Sequence, residues 1–170
     1  MTTLRILGGD PPPCGTVLVS RQWPSRLDLK QEVLDEIAAT LSANALVGED
    51  DHPWLCLCLD EALVNAMLHG NEGDPDTPID IEVAADGDRW YVTVSDRGTG
   101  FTSSQVPDSE DPESLLLEHG RGIRIMSEWL DDLTYYRSGA TVRMARRRSP
   151  TGEPLPPLDA LRQKDGDHAL

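Results

Sequence analysis

Three polar side chains stand four residues apart in the stretch DEALVNAMLHGN, residues 60–71: Glu61, Asn65 and His69. On a helix this spacing sets them in one stripe, each about one turn from the next. A Glu–Asn seam can hold a divalent cation and orient an attacking group, whereas the same stripe on an ordinary helix is a solvated edge. The neighbours Leu55, Leu57, Leu59, Ala62, Leu63, Val64, Ala66 and Met67 are apolar, so the seam is far narrower than the polar face of a surface helix. Asp60, one residue off the seam, fits either reading. The helix alone leaves both open.

Two glycine pairs follow. SDRGTGF places Asp96 where a strand gives out, followed by Gly98 and Gly100, and HGRGIRIM places Gly120 and Gly122 at the start of a helix. Neither completes a dinucleotide-binding fingerprint, and no Gly-Lys-Ser/Thr phosphate loop occurs. Each pair alone reads as a tight turn. Together with the seam they suggest more. Glycines at a helix start let backbone N–H groups approach a phosphate, with the helix dipole favouring negative charge. An aspartate at a strand end can accept the amino group of a buried base.

The order Glu-x-x-x-Asn, Asp-x-Gly-x-Gly, a polar loop, then Gly-x-Gly opening a helix resembles the ATP-binding fold shared by DNA gyrase, a large heat-shock chaperone and sensor histidine kinases (the GHKL superfamily). The likeness spans roughly residues 16–147. It implies ATP and Mg²⁺ as cofactors, with Asn65 as the metal ligand and Glu61 as the catalytic base. Asp96 would hold the adenine amino group. Gly98, Gly100, Gly120 and Gly122 would offer backbone contacts, with Arg121 and Ile123 inside the third motif. The forms EALVNAMLHGN and GRGIRIMSEWLDDLTY are similar to anti-sigma-factor serine kinases of partner-switching systems. Those proteins are usually homodimers that hold a sigma factor and phosphorylate a serine on a small antagonist protein. A gyrase-type transducing domain is not expected in this length, and the N-terminal helix carries no phospho-accepting histidine. Glu118 and His119 stand where such kinases often have a basic residue; Arg121 and Arg124 are the nearby substitutes. Two readings follow: a serine-protein kinase, or a nucleotide-gated binding module of the same fold without kinase activity. The partner of either could be a regulator other than a sigma factor.

The elements that must position these residues follow from pattern. TVLVSRQW (16–23) reads as a strand stopped by Pro24. Leu27, Leu29, Val33, Leu34, Ile37, Ala38 and Leu41 recur at helical spacing. GEDDHP (48–53) is a charged loop before the seam helix, and HGNEGDPDTP (69–78) ends that helix. Residues 79–85 and 89–96 alternate as strands around a turn at Asp86–Gly87. Residues 133–147 repeat the pattern around Ser138–Gly139, after a short helix, RGIRIMSEWLDD. The expected fold is a two-layer α/β sandwich of the Bergerat type, with a mixed, mostly antiparallel sheet and three helices on one face. Residues 1–15 form an N-terminal segment, 16–148 the domain, and the Pro- and Asp-rich tail 149–170 is expected to be disordered. The loop 102–119 is expected to close over a nucleotide.

Composition bounds the rest. Fifteen Lys and Arg against thirty Asp and Glu give a net charge of −15 over 170 residues. Phosphate backbones would repel such a chain, so nucleic acid is not an expected direct partner. No run reaches membrane-spanning length, and the expected location is the cytoplasm. Cys14, Cys56 and Cys58 are odd in number and two lie in the apolar helix, which argues for core residues rather than disulfides or metal ligands. His69 either shapes the phosphate end or caps its helix, while His52, His119 and His168 read as loop or tail residues. Arg143, Arg146, Arg147 and Arg148 form a basic cluster that is either a solvated edge or a docking surface.

Overall fold

The computed structural model describes residues 4–100 and 120–148. The expected closing loop and tail lie outside the described residues. Six strands form one sheet: β1 (Leu4–Ile6), β2 (Thr16–Pro24), β3 (Pro78–Asp86), β4 (Arg89–Ser95), β5 (Asp132–Tyr136) and β6 (Thr141–Arg147), in the spatial order β1-β5-β6-β4-β3-β2. All neighbours are antiparallel except β1 with β5. The two hairpins fall where alternation places them. The turn of the first is Gly87–Asp88, one residue later than expected, because Asp86 pairs with Arg89.

Three helices, α1 (Lys30–Ala43), α2 (His52–Val64) and α3 (Gly120–Trp129), cover one face. α2 lies in the middle and packs against both others. Pro53 sits in its first turn, where no N–H is needed, so α2 begins two residues earlier than the apolar run suggests. Leu59, Leu63 and Met67 are fully buried. They lie two residues, about 200°, around the helix from Glu61 and Asn65. Ile79, Ile81 and Val83 of β3 and Trp90, Val92 and Val94 of β4 meet the helices from the sheet. Each such side chain contributes about 1.5–3 kcal/mol by burial, enough to fix which side of α2 faces inward.

Three corrections concern the periphery. The segment read as N-terminal contains β1, a three-residue strand too short to show a period. α3 ends at Trp129, and Asp132, expected at its end, opens β5. The basic cluster divides. Arg143 is buried on the helix-free face, where its Nε donates to Thr93 Oγ1 at 3.1 Å and its Nη1 to the Pro12 carbonyl at 2.6 Å. Arg146 covers the Trp129 ring at 4.6 Å and stands 3.9 Å from the buried Asp51. Arg147 and Arg148 alone are exposed. The cysteines are free thiols; Cys58 is buried, and burial pushes its pKa up to about 12. Cys56 is partly exposed, with His52 Nδ1 3.4 Å from its sulfur.

Candidate functional site

α2 does not stop at Val64. The chain continues as a π turn over Asn65–Gly70, with the Asn71 N–H reaching back five residues to the Ala66 carbonyl at 2.9 Å. Such wider turns are rare and recur at functional sites. Here the turn separates two halves of the seam. Glu61 and Asn65 are related by an ordinary α turn, since the Asn65 N–H bonds to the Glu61 carbonyl. His69 follows after the wider turn and is exposed at the cavity edge.

The cavity beneath this turn measures about 810 Å³. Asn65, Ala66, His69 and Gly70 form one wall, and Asp96, Gly98 and Gly100 another. Val94, Tyr135 and Val142 from the sheet also line it, and they supply an apolar surface beside the polar groups. The structure therefore brings together Asn65, Asp96, Gly98 and Gly100 as expected from sequence. Glu61 does not line this cavity. It lies against the first turn of α3, where a Cβ placed on Gly122 would overlap its carboxylate. Asp60 forms an ion pair with Lys30 of α1 and belongs to helix packing. Gly120, Arg121 and Gly122 open α3, and the Ile123 side chain is in the core, which leaves its backbone for any ligand contact.

Asp96 carries a marked electrostatic signature. It follows β4 directly, its N–H donates to the Ala140 carbonyl at 2.8 Å, and only 7% of it is exposed. Oδ1 accepts the Gly98 N–H at 2.8 Å; among the described residues Oδ2 accepts no hydrogen bond. Burial pushes the carboxyl up to about 6, partly offset by the Gly98 N–H and by Arg97 and Arg137. The residue is buried while Oδ2 keeps access to the cavity, so a donor entering the cavity can reach it. Gly100 takes φ +78° with a Cβ direction blocked by the Ser138 carbonyl, which fits glycine there.

The site also contains residues that the sequence reading missed. Tyr135 lines the cavity and is fully buried; burial and the Glu61 charge raise its phenol pKa. Gly70 reads in sequence as a helix stop. In the structure its backbone lies against the Asp96 carboxylate, and a Cβ would overlap Asp96 Cγ and Oδ2. No spacing rule identifies either residue, because both meet Asp96 or Glu61 only through the fold.

No group of three or more His, Cys, Asp and Glu among the described residues could form a metal cage. One amide oxygen at Asn65 suits Mg²⁺, which keeps several waters and is commonly shared between one or two protein ligands and substrate phosphates. No helix among the described residues is long and apolar enough to cross a membrane.

An α/β sandwich in which a π-ended helix and a buried strand-end aspartate with its following glycines wall one cavity suits a nucleotide. Residues 23–146 match the model of the histidine kinase-like ATPase domain, and the chain belongs to that family. It is 33% identical over 96 residues to the anti-sigma F factor of Bacillus velezensis, covering 52% of this chain and 64% of that protein. The anti-sigma F factor of Anoxybacillus flavithermus is 30% identical over 93 residues, 51% of this chain and 62% of the relative. The serine-protein kinase RsbW of Listeria monocytogenes is 31% identical over 100 residues, 54% of this chain and 63% of that kinase. The chain spans less than two thirds of the length of these curated relatives.

Proposed function

We propose that the protein binds Mg²⁺–ATP in the cavity under the π turn and transfers the γ-phosphate to a serine of an antagonist protein. In the same reading it holds a sigma factor, as the name of the anti-sigma F factors suggests, and it does so as a homodimer in the cytoplasm. The observation that carries the nucleotide assignment is Asp96 Oδ2, an acceptor of an otherwise buried aspartate that has no protein donor among the described residues and lines a cavity large enough for a nucleotide. An adenine amino group would supply that donor. Asn65, on the facing wall, would hold Mg²⁺, which when bound neutralises phosphate charge. Gly98 and Gly100 let the strand end pack closely on Gly70 and Ser138 and would offer backbone contacts to the nucleotide, while Gly120, Arg121, Gly122 and Ile123 would offer backbone N–H groups at the start of α3. Glu61 would accept the proton of the incoming serine hydroxyl, and the chemistry otherwise rests on positioning.

A second reading, a nucleotide-gated binding module without kinase activity, is favoured by one observation. Glu61 lies against Gly122 and outside the cavity lining. The two readings are separated by capturing partners from native lysate with and without ATP and following γ-phosphate transfer to whatever is captured. A phosphoserine on a captured protein supports the kinase. Nucleotide-dependent capture without phosphorylation supports the binding module. Capture of a regulator other than a sigma factor reassigns the partner and leaves the site chemistry in place.

A further inference from the structure

Asn71, the first residue past the π turn, is only 6% exposed and reaches three separate segments of the chain. Its Oδ1 accepts the Arg97 N–H at 2.7 Å. Its Nδ2 faces Ser25 Oγ at 2.9 Å and the carbonyls of Thr77 and Pro78 at 3.2 and 3.1 Å. Ser25 Oγ spends its own hydrogen on the Thr77 carbonyl at 2.7 Å, so toward Asn71 it presents a lone pair. The amide orientation is thereby forced: a flip would set oxygen against two carbonyls and an NH₂ against an N–H. On the other side of the same junction, a Cβ on Gly98 would come within 2.5 Å of the Gly70 carbonyl. Residues 70–71 and 96–98 are thus in backbone contact, and Asn71 Oδ1 makes the hydrogen bond across that contact.

We propose that Asn71 is a positioning residue for base selection: it fixes the Asp96–Gly98 turn against Gly70, so that Asp96 Oδ2 meets the exocyclic amino group of adenine and rejects the carbonyl of guanine. The inference rests on the nucleotide reading above. Discrimination by a buried acceptor depends on its being unable to move away from the wrong partner. Without the Asn71–Arg97 bond the turn can shift, and the penalty against guanine relaxes.

The test is calorimetric titration of ATP and GTP, each with Mg²⁺, into the parent and three variants. Asn71→Ala removes the acceptor and the donors; its ATP affinity should fall about tenfold with little change for GTP, so that the ATP/GTP preference shrinks. Asn71→Asp keeps the acceptor toward Arg97 and loses the donors; it should melt lower yet keep the preference. Val33→Ala, a core truncation in α1, should melt lower and leave the preference unchanged. Where Asn71→Ala does not fold, Asn71→Ser is read in its place, since its hydroxyl is too short to reach Arg97. A parent-like preference in folded Asn71→Ala or Asn71→Ser overturns the proposal alone. A parent that binds neither nucleotide overturns the nucleotide reading and the proposal with it.

Discussion

Asp96 and Glu61 are carboxylates of one candidate site, held in opposite ways. Asp96 has a short side chain rooted at the end of a central strand, accepts a backbone N–H, and is pressed on by Gly70. Glu61 is half-buried on a helix, and the end of its long side chain rests on Gly122. A group that reads a base must stay still, because discrimination is lost if it yields. A group that takes a proton has to follow its substrate. The same functional group is therefore fixed at one end of the site and adjustable at the other, and the difference comes from side-chain length and from what packs behind it.

The largest expected effect breaks the adjustable end. Glu61→Gln preserves shape and removes the proton acceptor, so phosphate transfer to a captured partner should slow by about 10²–10⁴-fold. ATP affinity should stay within about threefold, because a base acts mainly in the transition state. Equal transfer rates in parent and variant would remove Glu61 from the mechanism.

Breaking the fixed end should act on binding. Asp96→Asn keeps an oxygen for the Gly98 N–H but can turn an NH₂ toward the adenine amino group. The loss of a charged hydrogen bond, roughly 1.5–3 kcal/mol, predicts ATP affinity lower by at least about tenfold. GTP affinity should change less. Equal loss for both nucleotides would mean that Asp96 supports the fold of the site without reading the base.

How much of this was open to inspection in sequence depends on the range of the interaction. Alternation at 16–23, 79–85, 89–96 and 133–147 reports contacts between adjacent strands, and it identified five of the six strands. The helical period of Val33, Leu34, Ile37 and Leu41 reported α1 in the same way. Glu61, Asn65 and Asp96 stood out because charged or amide groups interrupt apolar runs there. β1 carries too few residues for a period, and its partner β5 lies some 130 residues away, so nothing local marks it. Arg143 was misjudged because its acceptors, Thr93 and the Pro12 carbonyl, arrive from other segments. The π turn has no sequence signature at all, and with it the placement of Gly70 against Asp96 and of Asn71 against Arg97 was invisible.

The two glycines sharpen the comparison at lower cost. A methyl at Gly70 meets Asp96 Cγ, Oδ2 and also Cβ, and Cβ cannot leave without moving the backbone at the end of β4. Gly70→Ala should therefore cost about 1–3 kcal/mol of stability, as overpacking does, and weaken ATP binding. The atoms nearest a methyl at Gly122 are the outer side-chain atoms of Glu61, which can rotate away. Gly122→Ala should melt within about 2 °C of the parent, a surface-sized effect, while lowering phosphate transfer. Chemical denaturation and transfer assays on both variants decide it. A destabilised Gly122→Ala beside a tolerant Gly70→Ala would invert the assignment of fixed and adjustable ends.

The smallest effect is a pH dependence with opposite signs in two measurements. Burial lifts the folded Asp96 carboxyl from its ordinary 3.8 to about 6, so between those values the folded state binds more protons than the unfolded one. Stability from this group is then present at low pH and is lost as pH rises through that window. With the partial solvent access of the carboxylate discounted, the loss is on the order of 1 kcal/mol, or a few degrees in melting temperature. Asp96→Asn has no such slope, so without nucleotide its melting temperature should exceed the parent's increasingly from pH 4 to pH 7. ATP binding runs the other way, because accepting the adenine amino group requires the ionised form. ATP affinity of the parent should fall about tenfold from pH 7 to pH 5, measured relative to Asp96→Asn so that protonation of the triphosphate cancels. GTP should gain on ATP over the same interval, since a protonated Asp96 can donate to the guanine carbonyl. A parent whose ATP/GTP preference is flat from pH 5 to pH 7 would show that the carboxyl held against Gly70 does not choose the base.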